Sequence, residues 1–432
     1  MDVLNTKAYI ILFFSVLSLT LQAQVMQFEL AKKNLQEGNY YKALEYFNQT
    51  ISQERSGNSE LLQEAYYLRG MTYIRLYSEA FSTENKEDQK RFQDALLDAY
   101  KDFRSSLKYS NGQYVQKVDV EIKKLHQPLL QEGLKSLNEY NDLVFNGKTD
   151  AKLLKRAEDY LTAAHEIRDS YLVNDLLGQV ALDKGQKPEA KKYFMRSADL
   201  YSQELPEEPD FLMAYVYYRL AAINKTDSIY IALQDVDRGL KLMQSEFDRY
   251  YMMKDKLTPE RRKELEDDYN LAVKDLNNIR LDLYLSDQAL YVEAIHVFEE
   301  QLMADSSNVD LLIGYASLLE KTDKQKAIKT YLKVLEKDSL NKLALFNIGA
   351  LYYSKAKELF ELAEKEQDSK QFKILTDEAI LDFESAQPYF EKVLAQDPAS
   401  LDAIQALKTI AYITDDKDAY NKYDAMEKTL VK

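Results

Sequence analysis

The sequence predicts an all-α solenoid of about eight to nine stacked helical hairpins. Three observations carry that expectation. Six of the eleven glycines fall in one recurring frame, where a small residue precedes an Ala by about twelve positions and a large apolar residue follows that Ala by four. Self-similarity at a fixed period, here about 34 residues, is the mark of a helical solenoid. Gly and Pro are scarce, at eleven and seven in 432 residues, so helical patterns run long. No long stretch alternates Val, Ile or Thr with polar residues, which leaves almost no room for strands.

The copies follow one another along the chain. The first reads Ala31, Leu35, Gly38, Ala43, Phe47, and the second opens with Tyr66, Leu68, Gly70, Tyr73 and resumes at Ala99, Phe103. Only the second helix of the third is legible, in Ala157, Leu161, Ala164. The fourth is the cleanest, with Leu177, Gly178, Ala181, Gly185, Ala190, Phe194. The fifth runs from Ala214 to Leu240, the sixth shows Ala294, Phe298, Leu302, and the seventh has Gly314, Leu318, Ala327, Tyr331. The eighth begins Ile348, Gly349, Tyr352 and resumes at Ala386, Phe390, Pro398, and a degenerate ninth spans Leu401 to Tyr423. Within each copy the small residues, such as Gly178 and Ala190, let paired helices approach, and Phe194 and its equivalents fill the gap. Gly38 and Gly185 fall between helices, where a left-handed residue closes a helix C-terminus. Pro398 falls just past a helix, where it stops propagation.

These residues resemble the tetratricopeptide repeat (TPR) family, best in Leu177-Gly178-x-x-Ala181 with Gly185, Ala190 and Phe194, and again from Phe390 to Asp397-Pro398. The resemblance covers most of residues 25–430. It departs from the family in having no Trp, so Tyr66, Asn174 and Leu345 stand in that place. It implies a right-handed superhelix whose inner surface holds partner segments. Repeat alignment puts Tyr67, Ile74 and Arg75 of the second copy on that surface. Tyr215 and Arg219 of the fifth, Tyr315 of the seventh, and Phe346 and Tyr353 of the eighth join them. Tyr and Arg combine area with hydrogen bonding and make good anchors. Packing explains most of the other tyrosines among the 33, as at Tyr73, Tyr331 and Tyr352. The Lys and Asn set that clamps a peptide carboxylate in some TPR proteins is not recognisable.

The period breaks twice. Residues 77–93 interrupt the second copy and 354–380 the eighth, each with a polar centre and apolar flanks at helical spacing. Both predict extended helices with a protruding turn, read either as tolerated surface insertions or as projecting contact elements. Longer helices are expected over 115–143 and 259–286, the second opened by Thr258-Pro259-Glu260. Pro206-Glu207-Glu208-Pro209 is the best candidate break, dividing an array at 24–205 from one at 206–432; a continuous solenoid with one longer loop is equally allowed.

Residues 1–23 differ from the rest. Tyr9 to Leu21 is a mostly apolar run of thirteen behind Lys7, ending in Leu21-Gln22-Ala23-Gln24. It is shorter than the roughly 20 residues of a spanning helix and fits a secretory signal peptide cut after Ala23. An uncleaved anchor or a buried first helix are the alternatives. No cysteine is present, which excludes disulfides, thiol catalysis, Cys-ligated zinc and a lipid anchor at the cleavage point. The expected location is the periplasm, with secretion beyond the cell allowed. In style the leader and the Tyr- and Lys-rich repeats resemble exported TPR proteins of Bacteroidota.

The net charge is −15 and the pI about 5.0, which argues against nucleic acid as a partner. His126, His165 and His296 lie in different copies, and no metal spacing, phosphate-cradling Gly-rich loop or Gly-x-Ser-x-Gly occurs. Acid pairs such as Asp267-Asp268 occur as solvated helix faces do. No cofactor or enzymatic activity is expected. The leading expectation is a noncatalytic protein-interaction scaffold of the cell envelope, with a protein or peptide partner. The alternatives are a soluble periplasmic protein that binds a glycan or small ligand on its aromatic residues, and a purely structural or self-assembling role.

Overall fold

The computed structural model describes residues 22–52, 59–109, 114–204 and 206–430. Among these residues the regular elements are all helical, and the fold is an all-α solenoid of successive hairpins. The chain divides into two compact units, one ending at Ile223 and one beginning at Asn224. The Pro206–Pro209 segment lies inside the first unit, where it leads into a single 3₁₀ turn at Phe211–Met213. The leader expected over residues 1–23 lies outside the described residues except for its last two positions, with which the first helix begins. Among the described residues no helix is long and apolar enough to cross a membrane.

The first unit contains α1 (22–36), α2 (Tyr40–Ser52), α3 (Ser59–Ser82), α4 (Lys86–Arg91), α5 (Ala95–Lys108), α6 (Val115–Phe145), α7 (Ala151–Ile167), α8 (Tyr171–Asp183), α9 (Lys187–Glu204) and α10 (Ala214–Asn224). The most extensive pairings are α3 with α5, α6 with α7 and α8 with α9, and α5–α6 and α7–α8 contacts join one hairpin to the next. Each pair closes on a small residue set against a large one. A Cβ added at Gly178 would lie 2.5 Å from the Phe194 ring, one at Gly70 would lie 2.6 Å from Phe103, and one at Gly133 would lie 2.7 Å from Leu161. Gly133 belongs to the first helix of the third copy, which the sequence did not make legible.

The hairpin ends also follow the sequence. Gly38 and Gly185 have φ of +78° and +73°, and the amides that follow them bond five residues back, Asn39 to the Asn34 carbonyl and Gln186 to that of Ala181, both at 2.8 Å. This is a Schellman closure, which satisfies carbonyls that a helix end would otherwise leave bare.

The break at 77–93 does not protrude as expected. Helix α3 runs on to Ser82, and the chain then folds back, so that Phe92 and Ala95 share a small core with Leu76 and Ala80, against which Tyr40 and Leu44 of α2 pack. The Tyr41 hydroxyl donates to Asp88 at 2.7 Å and its ring meets Phe92 edge-on at 5.3 Å. Its far end is tied down by Arg156 of α7, which bonds Asp94 at 2.9 Å, the Gln93 carbonyl at 2.9 Å and Glu132 at 3.0 Å. The physical reason is that Phe92 finds an aromatic neighbour in Tyr41 of α2, while Tyr77 and Phe81 pack on each other and meet Glu132 and Lys135 of α6, contacts that helical spacing alone does not reveal.

The second unit contains α11 (Ile229–Met253), α12 (Pro259–Leu285), α13 (Tyr291–Ala304), α14 (Val309–Thr322), α15 (Lys324–Lys337), α16 (Lys342–Ala363), α17 (Ser369–Gln396), α18 (Leu401–Ile413) and α19 (Lys417–Leu430). Helix α12 occupies most of its expected range, capped by Thr258, whose hydroxyl accepts from the Arg261 amide at 3.2 Å. Here α14 pairs with α15, α16 with α17 and α18 with α19. The eighth copy has the expected long hairpin: α16 and α17 continue past the repeat and turn at residues 364–368, where Asp368 caps α17. Leu362 and Phe372 beside that turn are 54% and 46% exposed. One frame assignment needs correction. Gly314 does not serve Tyr331 of its own copy; a Cβ there would meet Phe298 of α13 at 2.7 Å.

Two substitutions separate the roles of glycine. Gly178→Ala should gain about 1 kcal/mol of helix propensity yet lose stability overall, because overpacking a buried ring costs about 1–3 kcal/mol; trimming that ring in Gly178→Ala/Phe194→Leu should recover part of the loss. Gly185→Ala, with nothing within 4 Å of the new Cβ, should cost about 1 kcal/mol through left-handed strain alone and gain nothing from Phe194→Leu. Urea denaturation of the four variants checks both, and equal rescue of the two alanines by Phe194→Leu would contradict the account.

Candidate binding groove

The eight residues expected on a binding surface do not form one site. Tyr67 is half-buried against the rings of Phe103 (5.9 Å) and Tyr114 (5.7 Å), Ile74 packs on the core formed by α5 to α8, and Arg75 is exposed. Tyr315 does not project: it is 6% exposed, and its hydroxyl donates to Glu299 at 2.5 Å. That contact uses the polar end of the ring for packing between α13 and α14.

Tyr215 and Arg219 do come together, in the first unit. The Arg219 guanidinium lies 5.6 Å from the Phe194 ring and 6.0 Å from the Tyr215 ring, and it donates to Asp175 of α8 at 2.9 Å. Burial pushes the Asp175 carboxyl above its ordinary value, and Arg219 pulls it partway back. The pair is a structural tie more than an open surface.

Phe346 and Tyr353 form the site. They sit seven residues apart on one face of α16, with Ala350 between them, and all three line a groove of about 820 Å³ in the second unit. Its opposite wall is α18, through Asp402, Gln405, Ala406, Thr409 and Tyr412. Phe390 of α17 forms the floor; its ring meets Phe346 at 5.7 Å and Tyr353 at 6.3 Å, both edge-on. Tyr420 and Glu427 of α19 close one side. Tyr412 is 74% exposed and lies 6.2 Å from Tyr420. The wall is therefore aromatic, open, and built from two first helices of successive hairpins.

Polar groups of the groove are largely bonded to one another. The Lys408 ammonium reaches Asp424 at 2.6 Å and Glu427 at 2.9 Å and lies 5.4 Å from the Tyr420 ring, and Gln405 donates to Glu427 at 2.8 Å. The hydrogen bonds from Lys408 hold both carboxyls below their ordinary values, and those carboxylates raise the lysine in turn. Asp402, in the first turn of α18, is exposed and has no ion-pair partner among the described residues. Sequence reasoning found Phe346 and Tyr353 but missed Asp402, Lys408, Tyr412 and Tyr420. They belong to the degenerate last copy, where Tyr412 and Tyr420 carried no packing signal. Their helical spacing from Leu407 and Tyr423, the copy's buried residues, was the available clue. Among the described residues no cluster of three or more His, Cys, Asp or Glu could hold a metal ion.

Hairpin stacking and this groove define a class, that of an all-α helical-repeat protein with an open aromatic cleft. No family model matches the chain, and no curated protein does. Among solved structures it is similar to the assembly chaperone of RpL4 (Acl4, residues 1–338), at 12% identity over 67% of this chain and 99% of that one, with a TM-score of 0.41. It is also similar to yeast Tom70, at 14% identity over 94% and 85% with a TM-score of 0.32. A third is the C-terminal part of a TPR repeat-containing protein from Cytophaga hutchinsonii, at 13% identity over 88% and 99% with a TM-score of 0.28.

Arg219→Met should expose how far Asp175 depends on its partner. The folded-state value of Asp175 is already raised, so its ionised form costs the folded protein stability; that cost is absent below the ordinary range of about 4 and grows as pH rises through the raised value. Removing the guanidinium should raise it further and destabilise the chain by about 1–3 kcal/mol at pH 8, and by less at pH 4.5. Asp175→Asn in the same background should flatten that difference. Denaturant melts of the three variants at both pH values check it, and a defect larger at pH 4.5 would refute it.

Proposed function

We propose that this protein is a noncatalytic interaction scaffold of the cell envelope that holds a segment of a partner polypeptide in the groove between α16 and α18. The carrying observation is the groove itself: about 820 Å³, with Phe346, Tyr353 and Tyr412 on its walls and Phe390 on its floor. Walls of this kind, with Phe346 and Tyr353 half-buried and Tyr412 exposed, suit one or two anchor side chains, which supply most of the affinity of a segment in a cleft. A helical array offers such a cleft without any reacting group, and its interior is already committed to packing. Export is supported by the apolar run Tyr9–Leu21 and the small residue at Ala23. A glycan reading is weaker here. Sugars need several free polar side chains beside the rings, and Lys408, Gln405 and Glu427 are spent on each other, which leaves Asp402 as the one unpaired charged group of the lining among the described residues.

Two measurements test this. A photo-crosslinking phenylalanine analogue at Tyr412, in the full chain expressed in its native cells, should give discrete adducts with polypeptides. The same probe at Tyr230, 61% exposed elsewhere in this unit, should not, and Ala350→Trp, which fills the groove, should abolish the Tyr412 adducts. Identical adduct patterns from the two positions would sink the groove as the site. For export, the mature chain should begin at Gln24; a cytosolic protein that still begins at Met1 would refute the envelope location.

A further inference from the structure

The charges along the groove say what kind of segment it takes, on the reading that it holds a polypeptide. Lys408 and Lys428 face Asp424 and Glu427 in one bonded cluster, with Lys428 reaching Asp424 at 2.6 Å, so that cluster is neutral. Lys342, in the first turn of α16, is paired with Asp397 and does not line the groove. Asp402 is left as the unpaired charge of the wall among the described residues. The chain as a whole carries −15, which at long range favours the approach of a cation over an anion.

From Asp402 to Tyr412 the α18 wall spans ten residues, about 15 Å at 1.5 Å per residue. That length matches about four to five residues of extended chain. Between its ends lie Ala406 and Thr409 on α18, small side chains that line the groove together with Phe346, Tyr353 and the buried Phe390. Exposed tyrosine rings also attract a cation over their faces. An acidic segment would meet Asp402 unscreened and would find no free ammonium, because Lys408 is already bonded to two carboxylates.

We propose that the groove selects a short extended polypeptide segment in which a Lys or Arg lies within two positions of an aromatic or aliphatic residue, the apolar side chain seated on Phe346, Tyr353 and Phe390 and the basic one at the Asp402 end. The selection is for cationic-apolar segments and against acidic ones.

The experiment pans a displayed library of random twelve-residue segments on the full chain, and keeps those whose binding is lost both in Ala350→Trp and in Tyr412→Ala. The exposed Tyr412 can be trimmed without disturbing the core, which protects the result if Ala350→Trp fails to fold. The expected result is that retained segments carry the basic-apolar pairing, and that synthetic copies bind about threefold to fivefold more weakly to Asp402→Asn, as an exposed ion pair allows. Retained segments with no basic preference, or with affinities unchanged in Asp402→Asn, overturn the inference and leave the groove as a polypeptide site. Finding no groove-dependent segment at all overturns both.

Discussion

Everything in this chain depends on how closely two helices of a hairpin approach, and that is set by a missing Cβ. At Gly178 and Gly70 the facing Phe ring occupies the space where a methyl group would stand, within 2.5–2.6 Å of the ideal position. Interiors pack at crystal-like density, so such a contact has little slack to give. Phe194, Phe103 and Phe298 are buried because the opposing helix is close enough to cover them. The hairpin then presents a second apolar face, which the next hairpin must cover. Local closeness thus propagates into a stack, and the faces that stacking does not cover become the surfaces on which a cleft can form.

That frame was legible where it was compact. Gly178 and Phe194 are 16 residues apart, so a single spacing reveals the contact. The same contact joins Gly70 to Phe103 and Gly349 to Phe390, at separations of 33 and 41, and there the two breaks in period marked where the extra residues lie. Gly133 and Leu161 stand 28 apart with no obvious break, because α6 is simply long and continuous, and the pair went unread. Spacing also fails to say which neighbour a helix prefers. Gly314 sits one residue before the frame position occupied by Tyr315, and that offset turns it toward Phe298 instead of Tyr331. The packing of Phe92 on Tyr41 is a contact between elements far apart in sequence, which periodicity cannot contain.

The groove divides along the same line. Phe346 and Tyr353 were legible because repeat alignment places them on the first-helix face expected to line the inner surface. Asp402, Tyr412 and Tyr420 were not, because an alignment built on buried positions assigns nothing to exposed ones. Tyr315 shows the reverse error. Its place in the alignment marked it as surface, but the half-exposed Glu299 carboxylate nearby accepts from its hydroxyl, and a ring whose hydroxyl has a partner can be covered at little cost.

The insertion in the eighth copy belongs to the groove more than its distance from the frame suggests. Phe346, Tyr353 and Phe360 recur every seven residues on α16, and Phe383 and Phe390 do the same on α17. Their rings interlock in sequence: Phe346 with Phe390 at 5.7 Å, Phe390 with Tyr353 at 6.3 Å, Tyr353 with Phe383 at 5.1 Å, and Phe383 with Phe360 at 5.7 Å. Three of those five rings line the groove, and Phe360 lies in the added segment. Each such pair contributes about 0.5–1.5 kcal/mol beyond its buried area. A hairpin that ended with the repeat would lose the last ring and its contact with Phe383, which in turn meets Tyr353. Extending the seam fixes this wall of the groove, and on the proposed reading a wall fixed in advance saves the ordering cost that binding otherwise incurs. Phe360 is thus the residue by which the added segment reaches the groove, through Phe383 and Tyr353.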